Sequence, residues 1–305
     1  MIKQETVYEM RLVSALEKVF LDERPVYRPE CMKLTALKGE TVSFQAACTC
    51  TSFMKNRVKV RIESPISDRI HVRKVENVPA GRVCGPIVDD NYLKTESGLY
   101  PDLLRELVDG EVDIFPQKWR SIWIDIEVTE DVKAGLYPVT VILEKDGETL
   151  ARAATEVTIY DAVLPKQKMM HTEWFYLDCL ADYYHVPVFS EEHWEIITNY
   201  LKEYVKRGCN MILTPLFTPA LDTAVGIERT TTQLLDVRVE NGNYSFGFDR
   251  VKKWIDLCQS CGIEYFEICH LFSQWGAKYA PKVMAVVNGK EEQIFGWHTP
   301  AVGEY

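Results

Sequence analysis

Residues 119–128 read Trp119-Arg120-Ser121-Ile122-Trp123-Ile124-Asp125-Ile126-Glu127-Val128, and apolar and polar side chains alternate from Ile124 to Val128. A period of two is typical of a β-strand that buries one of its faces. Similar short runs follow one another from residue 40 to residue 160, with glycine and proline between them. Asp146-Gly147 lies between two such runs and is a hairpin signal. These features predict an antiparallel β-sandwich in the first half.

The periodicity of the apolar residues changes at Leu164-Pro165-Lys166-Gln167-Lys168, which we interpret as a domain boundary. We expect residues 1–165 to form the sandwich and residues 166–305 to form a second domain. In the second domain, predicted strands at 170–176, 209–214 and 263–269 alternate with amphipathic stretches that predict helices. A strand-helix-strand order indicates parallel βαβ units.

Three parallel strands do not close a sheet. An eightfold barrel needs roughly 250 residues, and the second domain has 140. Either this half is a small open sheet, or the chain stops partway round a barrel. Residues 294–305 carry no pattern of a terminal helix, so we favour an incomplete barrel.

Composition excludes several classes of protein. The chain has 305 residues, is 47% hydrophobic and carries a net charge of −10, which argues against a general nucleic-acid binder. It contains no run of about 20 apolar residues that would span a membrane. The first residues, Met1 to Thr6, lack the apolar core of a signal peptide, so we expect a cytoplasmic protein.

The nine cysteines do not indicate a metal site. Cys258 and Cys261 have the spacing of a zinc-binding pair, but no second pair of cysteines or histidines completes it. We interpret the cysteines as buried, reduced thiols. The sequence also has no phosphate-binding glycine motif, so we expect neither a metal nor a cofactor.

Aromatic and hydrogen-bonding residues follow each predicted strand of the second half. Trp174 follows the first strand, a proline-containing loop and Arg229 follow the second, and His270 to Ala277 follow the third. In βα architectures the catalytic and binding residues lie at the carboxyl ends of the strands. Aromatic rings beside hydrogen-bonding groups are suited to binding a sugar ring. Singly, His270 reads equally well as a core histidine, and Trp275 and Trp297 as core aromatics. Asp222 could cap a turn and Arg229 could be a surface charge, but their convergence favours a binding site.

Several stretches resemble the glycoside hydrolase family 123-like proteins, also filed under domain-of-unknown-function family 4091. In the second half they are Asn210-Met211-Ile212-Leu213-Thr214-Pro215-Leu216-Phe217-Thr218-Pro219-Ala220-Leu221-Asp222-Thr223, Glu228-Arg229-Thr230 and His270-Leu271-Phe272-Ser273-Gln274-Trp275-Gly276-Ala277-Lys278. In the first half they are Ser14-Ala15-Leu16-Glu17-Lys18-Val19-Phe20, Gly98-Leu99-Tyr100-Pro101-Asp102 and Ala134-Gly135-Leu136-Tyr137. The resemblance covers essentially the whole chain.

The resemblance implies an N-terminal antiparallel β-sandwich followed by a (β/α)₈ TIM-type barrel, an α+β multidomain protein whose barrel would be incomplete here after about three strands. It also implies a retaining β-N-acetylhexosaminidase, acting on N-acetylgalactosamine by substrate-assisted catalysis. In that mechanism an Asp orients the acetamido group of the sugar, and the adjacent Glu is the acid/base. No Asp-Glu pair follows Leu271 in this sequence, so we expect the pair beyond residue 305. The catalytic residues stay unassigned, and residues 1–305 alone are expected to be inactive.

The resemblance further implies a sugar-binding wall whose residues stack on the pyranose or bind its hydroxyls. This wall comprises His171, Trp174, Asn210, Asp222, Arg229, His270, Trp275 and Trp297. The expected partner is a carbohydrate, with no nucleic acid and no membrane. Two alternatives stay open at this point: a non-catalytic carbohydrate-binding protein, and a structural β-sandwich module whose second half has lost its ligand.

Overall fold

The computed structural model describes residues 6–26, 28, 32–52, 57–81, 91–221, 223–224, 226–273, 276–303 and 305. The chain divides into two compact units, residues 1–165 and residues 166–305. No helix within the described ranges has both the length and the apolar character needed to cross a membrane.

The described part of the first unit is built from strands. They are β1 (Tyr8–Ser14), β2 (Lys33–Lys38), β3 (Thr41–Cys50), β4 (Arg57–Glu63), β5 (Ile70–Ala80), β6 (Gly98–Glu106), β7 (Glu111–Asp113), β8 (Arg120–Glu127), β9 (Gly135–Lys145) and β10 (Glu148–Val163).

These strands form two five-stranded sheets. The first has the order β1-β3-β8-β5-β6, with antiparallel neighbours throughout. The second has the order β2-β10-β9-β4-β7, in which β2 runs parallel to β10 and the other pairs are antiparallel. Both sheets bury side chains in one core, to which Phe44 and Ile124 contribute from the first sheet and Val141 and Val157 from the second. Two sheets that share a core in this way form a sandwich.

Local sequence explains this unit well. Ile122, Ile124 and Ile126 are each 0% exposed, as the alternation along β8 predicts. The hairpin predicted at Asp146-Gly147 joins β9 to β10, and both of its central residues have positive φ, 53° and 82°. That backbone is the type I′ turn, which matches the twist of antiparallel strands.

The second unit mixes helices and strands. They are α1 (Leu177–Tyr184), α2 (Glu191–Lys206), β11 (Met211–Thr214), β12 (Asp236–Glu240), β13 (Asn243–Gly247), α3 (Asp249–Cys261), β14 (Tyr265–Ile268), β15 (Val283–Val287) and β16 (Lys290–Phe295).

Helices α2 and α3 begin and end at residues that suit helix ends. The Ser190 hydroxyl caps α2 by accepting a hydrogen bond from the His193 backbone N–H at 3.2 Å. Gly262 ends α3 at φ 106°, and a Cβ there would lie 3.1 Å from Val205 of α2. Glycine therefore serves both the left-handed backbone and the close approach of the two helices. Leu201 and Trp254, both 0% exposed, join α2 and α3 to the core beneath β11.

The predicted fold class is wrong, because the described residues of the second unit do not show a (β/α)₈ TIM-type barrel. Its described residues form a two-stranded parallel sheet, β11-β14, and a separate four-stranded sheet, β13-β12-β15-β16. The strand expected at 170–176 is reduced to a single parallel bridge between Thr172 and Met211. The predicted βαβ arrangement is seen in the parallel pair β11 and β14, with α3 between them in the chain.

Two Asn-Gly turns explain why the second unit differs from the predicted barrel. Asn241 and Gly242 join β12 to β13 with φ of 48° and 78°, and Asn288 and Gly289 join β15 to β16 with φ of 47° and 85°. Both are type I′ hairpin turns between short antiparallel strands. Antiparallel hairpins therefore occupy the chain between β11 and α3 and again after β14, where a barrel would need helices.

Candidate functional site

The parallel strands of the second unit place three chain segments at one edge of the sheet. Thr172 pairs with Met211 at the start of β11, and β11 runs in register with β14 from Met211↔Tyr265 to Thr214↔Ile268. All three segments run in the same direction, so the residues that follow them meet at the carboxyl edge. This edge is where open α/β sheets bind ligands.

Trp174, Glu267 and His270 come together at this edge, and we call them the strand-end cluster. The Trp174 Nε1–H donates a hydrogen bond to Glu267 Oε2 at 3.2 Å. The Trp174 and His270 rings lie 5.3 Å apart between centroids and meet at 80°. The Trp174 side chain is 46% exposed, so part of its aromatic surface is accessible to a ligand. The cluster therefore combines an open aromatic plane with a carboxylate and an imidazole.

Tyr204 of α2 holds the backbone that leads to Trp174. Its hydroxyl accepts a hydrogen bond from the Glu173 N–H at 2.8 Å and lies within donating distance of the Glu173 and Met211 carbonyls, at 2.8 Å and 2.7 Å. Burial raises the pKa of the Tyr204 phenol. The hydroxyl therefore stays protonated and can hydrogen-bond to all three of these backbone groups. The sequence offered no signal for this role, because a tyrosine on a helix face reads as ordinary packing.

Asn210 and His171 lie away from the strand-end cluster, at the amino end of the parallel strands. The Asn210 Oδ1 accepts from the His171 backbone N–H at 2.8 Å, and its Nδ2 donates to the Met169 carbonyl at 3.0 Å. The His171 ring contacts the Glu173 carboxylate through Nε2 at 3.2 Å, and Cys209 Sγ lies 3.8 Å from its Nδ1. The Asn210 amide is thus committed to aligning two backbone segments.

Arg229 is paired inside the unit. Its guanidinium makes a two-point contact with the Asp178 carboxylate, at 2.7 Å from Nε and 3.3 Å from a terminal nitrogen. The Arg229 and Asp178 side chains are 12% and 5% exposed, and the guanidinium stacks 4.1 Å from the centre of the Tyr176 ring. The Asp178 position, in the first turn of α1, lets one buried carboxylate anchor the loop that carries Arg229.

Arg229 and Trp297 share a cavity that we call the loop pocket. Its empty volume of about 320 Å³ includes space open to solvent. The walls are formed by segments that follow β11, β14 and β16, and the described lining residues are Thr218, Pro219, Ala220, Thr223, Ile227, Glu228, Arg229, Ala280, Pro281, Lys282 and Trp297. The space that the centre of a water-sized molecule can reach is only about 20 Å³, which is room for about one water molecule.

The structure therefore groups the residues of the expected sugar-binding wall in three places. Trp174 and His270 belong to the strand-end cluster, Arg229 and Trp297 to the loop pocket, and His171 and Asn210 to the amino end of the sheet. Asp222 and Trp275 lie outside the residues that the structure describes. Glu267, Glu228 and Lys282 were not among the expected wall residues, although each contributes a charged group to one of these sites.

Two family models match the chain, one in each unit. The glycoside hydrolase 123 N-terminal domain matches residues 20–145, and the glycoside hydrolase 123 catalytic domain matches residues 174–304. The chain belongs to the glycoside hydrolase 123 family. The catalytic-domain match contains all residues of the strand-end cluster and of the loop pocket.

This family 123 chain is similar in fold to a family 123 glycoside hydrolase from Clostridium perfringens, whose structure was analysed for the details of glycolipid glycan hydrolysis. The similarity has a TM-score of 0.66 at 16% sequence identity and covers 95% of this chain and 52% of the other. The chain thus spans about half the length of that protein, and at this identity the likeness concerns the fold alone.

Two other solved structures align more loosely. They are the N-terminal domain of PorA, at 11% identity over 50% of this chain and 99% of the other, and a β-glucosidase from Listeria innocua, at 10% identity over 52% and 17%. Both have a TM-score of 0.24, which is too low to bear on fold or function. A comparison with curated proteins found no match.

Proposed function

We propose that the chain is the part of a glycoside hydrolase that binds β-linked N-acetylhexosamine, with N-acetylgalactosamine as the sugar. Two family 123 models support the hydrolase class. The observation that supports a sugar as the ligand is the strand-end cluster, in which the accessible indole of Trp174 lies beside the Glu267 carboxylate and the His270 imidazole.

The chemistry of this cluster suits a pyranose. The apolar face of a sugar ring packs on an aromatic plane, and the hydroxyls around the ring need donors and acceptors. The Glu267 Oε2 accepts from the Trp174 indole, and its other oxygen is available to accept a sugar hydroxyl. His270 is exposed and offers a ring nitrogen as a further partner. The indole–carboxylate bond orients both groups before the ligand arrives.

The proposed mechanism is retaining and substrate-assisted. The sugar's acetamido oxygen attacks the anomeric carbon while an acid protonates the leaving oxygen, and water then opens the resulting oxazolinium. An adjacent Asp-Glu pair would orient the acetamido group and supply the acid. The one Asp-Glu pair of this chain, Asp22-Glu23, lies in the first unit, so the proposal assigns the pair to sequence beyond residue 305.

Hydrolysis of 4-nitrophenyl β-N-acetylgalactosaminide by the product of the complete open reading frame tests this function. We expect proton NMR to show the β-anomer as the first product, and Trp174→Ala to lower kcat/KM about tenfold, the loss of one aromatic contact of about 1.4 kcal/mol. Tyr200→Phe, on the exposed side of α2, is the matched control. Sugar binding without hydrolysis would indicate the non-catalytic binding protein instead. Hydrolysis by residues 1–305 alone would contradict the assignment of the acid pair.

A further inference from the structure

Strand β13 forms one edge of the four-stranded sheet of the second unit, and no described strand lies on its other side. It pairs with β12 from Asp236↔Gly247 to Glu240↔Asn243 without a bulge. Its sequence, Asn243-Tyr244-Ser245-Phe246-Gly247, contains no charged residue and no proline. The open side of β13 is therefore regular and uncharged.

A regular, uncharged edge strand is unusual, because such a strand can pair with another chain. Proteins protect their edge strands with charged side chains, prolines or bulges. Every other outer strand of the two five-stranded sheets and of this four-stranded sheet carries at least one charged residue. One such residue from each of β1, β6, β2, β7 and β16 is Glu9, Arg105, Lys33, Glu111 and Lys290. Among these outer strands, as far as the structure describes them, β13 alone lacks this protection.

The β12–β13 hairpin determines which backbone groups of β13 point to the open side. In a two-residue hairpin the residues that flank the turn form a hydrogen-bonded pair, and such pairs alternate along the strands. The N–H and C=O groups of Asn243, Ser245 and Gly247 therefore face β12, whereas those of Tyr244 and Phe246 point outward. Within the described ranges these outward groups have no backbone partner.

The side chains of Tyr244 and Phe246 extend the apolar face of the sheet to its edge. Their cross-strand partners are Val239 and Val237, which belong to the apolar cluster that also contains Val283. Cross-strand partners lie on the same face of a sheet. Tyr244 is nevertheless 44% exposed and Phe246 55% exposed, so a further strand would cover both aromatic rings.

We propose that β13 pairs antiparallel with β13 of a second copy of this chain, which joins the two four-stranded sheets into one continuous sheet. A twofold interface must be complementary to itself. The sequence of β13 meets this requirement, because an aromatic residue lies on either side of Ser245. Tyr244 of each copy lies opposite Phe246 of the other, and their outward backbone groups form the hydrogen bonds of the new strand pair.

Ser245 lies on the twofold axis of this pairing, opposite its own copy. A charged residue at this position would face an identical charge, and like charges directly opposite each other destabilise a sheet. The serine is neutral, so the axis position carries no such penalty. The pairing is independent of the proposed function, since neither Tyr244 nor Phe246 belongs to the strand-end cluster.

Sedimentation velocity of residues 1–305 at increasing protein concentration tests the pairing. We expect a reversible and weak dimer, because two five-residue strands form a smaller interface than the roughly 1,200–2,000 Å² that is typical of stable complexes. Ser245→Lys brings two ammonium groups together at the axis, so the dissociation constant of the dimer should rise on the order of tenfold. Ser67→Lys adds the same charge at an exposed position of the first unit and should leave the constant unchanged.

Ser245→Cys tests the geometry of the axis and changes the side chain very little. Opposite residues of a non-hydrogen-bonded antiparallel pair have Cα atoms about 4.5 Å apart, a separation that a disulfide spans. We expect oxidised glutathione to link two copies of this variant faster than two copies of Ser67→Cys. The unmodified chain, whose Cys179 is exposed, gives the background rate.

Three results would overturn the proposal: a chain that stays monomeric at every concentration, a dimer that Ser245→Lys and Ser67→Lys leave equally stable, or linking of Ser245→Cys at the background rate. The product of the complete open reading frame distinguishes a further occupant. If that protein is monomeric and Ser245→Lys lowers its free energy of unfolding, a strand of the same protein covers β13 and the second copy is wrong.

Discussion

The indole Nε1 of Trp174 donates to the Glu267 carboxylate at 3.2 Å, across 93 residues of sequence. Trp174 follows the bridge at Thr172, and Glu267 lies on β14, so the bond ties the two outer segments of the parallel arrangement together at its carboxyl edge. It also orients an accessible aromatic plane beside an acceptor. This contact holds the two side chains of the strand-end cluster in place, which would preorganise them for the proposed sugar.

Trp174→Phe isolates the contribution of this hydrogen bond. Phenylalanine keeps an aromatic face beside His270 but has no donor for Glu267. We expect the affinity for N-acetylgalactosamine to fall about fivefold, which corresponds to about 1 kcal/mol, the typical net contribution of one hydrogen bond. Calorimetry of both proteins gives the ratio, with Tyr200→Phe as a control that should bind normally. An affinity equal to that of the unmodified chain would show that the indole N–H does not organise the site.

Asn210→Ala should destabilise the second unit rather than alter ligand chemistry. It removes the acceptor of the His171 N–H and the donor to the Met169 carbonyl. Two backbone groups then lose their partners, so we expect unfolding in urea to require about 1–3 kcal/mol less free energy. Asn199→Ala, at an exposed position of α2, should change stability by under about 0.5 kcal/mol. Equal losses in the two variants would contradict the backbone-aligning role of Asn210.

Tyr204→Phe and Tyr200→Phe form a second matched pair, since both tyrosines lie on α2. The Tyr204 hydroxyl contacts the backbone of Glu173 and Met211, whereas the Tyr200 hydroxyl contacts only the Tyr184 hydroxyl among the described side chains, at 3.1 Å. We expect about 1–2 kcal/mol of lost stability for Tyr204→Phe and a loss close to zero for Tyr200→Phe. Denaturant titration distinguishes them, and the reverse order would be inconsistent with the structure.

His193 should make the second unit less stable as the pH falls. Burial lowers the pKa of its ring, a shift that the hydrogen bond from Nε2 to the Leu177 carbonyl only partly opposes. The Nδ1 atom accepts from the Phe189 N–H at 3.0 Å, so protonating it would set two N–H groups against each other. The unfolded state therefore binds a proton first, near the ordinary histidine pKa of about 6.5.

The free energy of unfolding should accordingly decline as the pH drops below about 6.5, by up to about 1.4 kcal/mol per pH unit from this residue. In His193→Gln this part of the slope should be absent, whatever the overall stability of the variant. Urea titrations of both proteins between about pH 7.5 and pH 5.5 measure the two slopes. Parallel slopes would show that His193 is protonated equally in the folded and unfolded states.

Arg229→Met should be among the more destabilising single changes, because it leaves the Asp178 carboxylate buried and without its cation. The expected loss is about 3–5 kcal/mol. Adding Asp178→Asn to the same chain removes the stranded charge, so the double variant should recover part of that loss. Urea denaturation of both variants measures the two free energies of unfolding. A double variant less stable than Arg229→Met would mean that the carboxylate is stabilised by something other than Arg229.

Much of the first unit follows from sequence because local periodicity and burial agree there. Alternation along β8 places Ile122, Ile124 and Ile126 in the core, and Asp146-Gly147 has the backbone that its turn requires. The fold of the second unit is harder to predict from the sequence. The strands beside Asn241-Gly242 and Asn288-Gly289 are only five or six residues long. Their hairpins separate segments that the strand-helix-strand pattern alone predicts to be consecutive.

The candidate site could likewise be predicted from the sequence only in part. The proximity of Trp174 and His270 was predictable, because parallel strands bring their carboxyl ends together. Which carboxylate faces Trp174 was not, since several acidic residues follow the strands and only the register of β11 and β14 selects Glu267. An asparagine amide serves a sugar and a backbone equally well, so sequence could not show that Asn210 is occupied by its own chain. The pairing of Glu228 with Lys282 likewise depends on how two distant loops meet.

The most direct test of the central claim, sugar binding at the strand-end cluster, is the indole N–H resonance of Trp174 in a ¹H–¹⁵N spectrum during titration with N-acetylgalactosamine. The signal is assigned by its disappearance in Trp174→Phe, and the buried Trp254 indole, which contacts Thr214, serves as an internal reference. We predict a saturable shift of the Trp174 signal with little movement of Trp254. A Trp174 signal that stays in place while the sugar binds elsewhere, or while no binding occurs, would contradict the account.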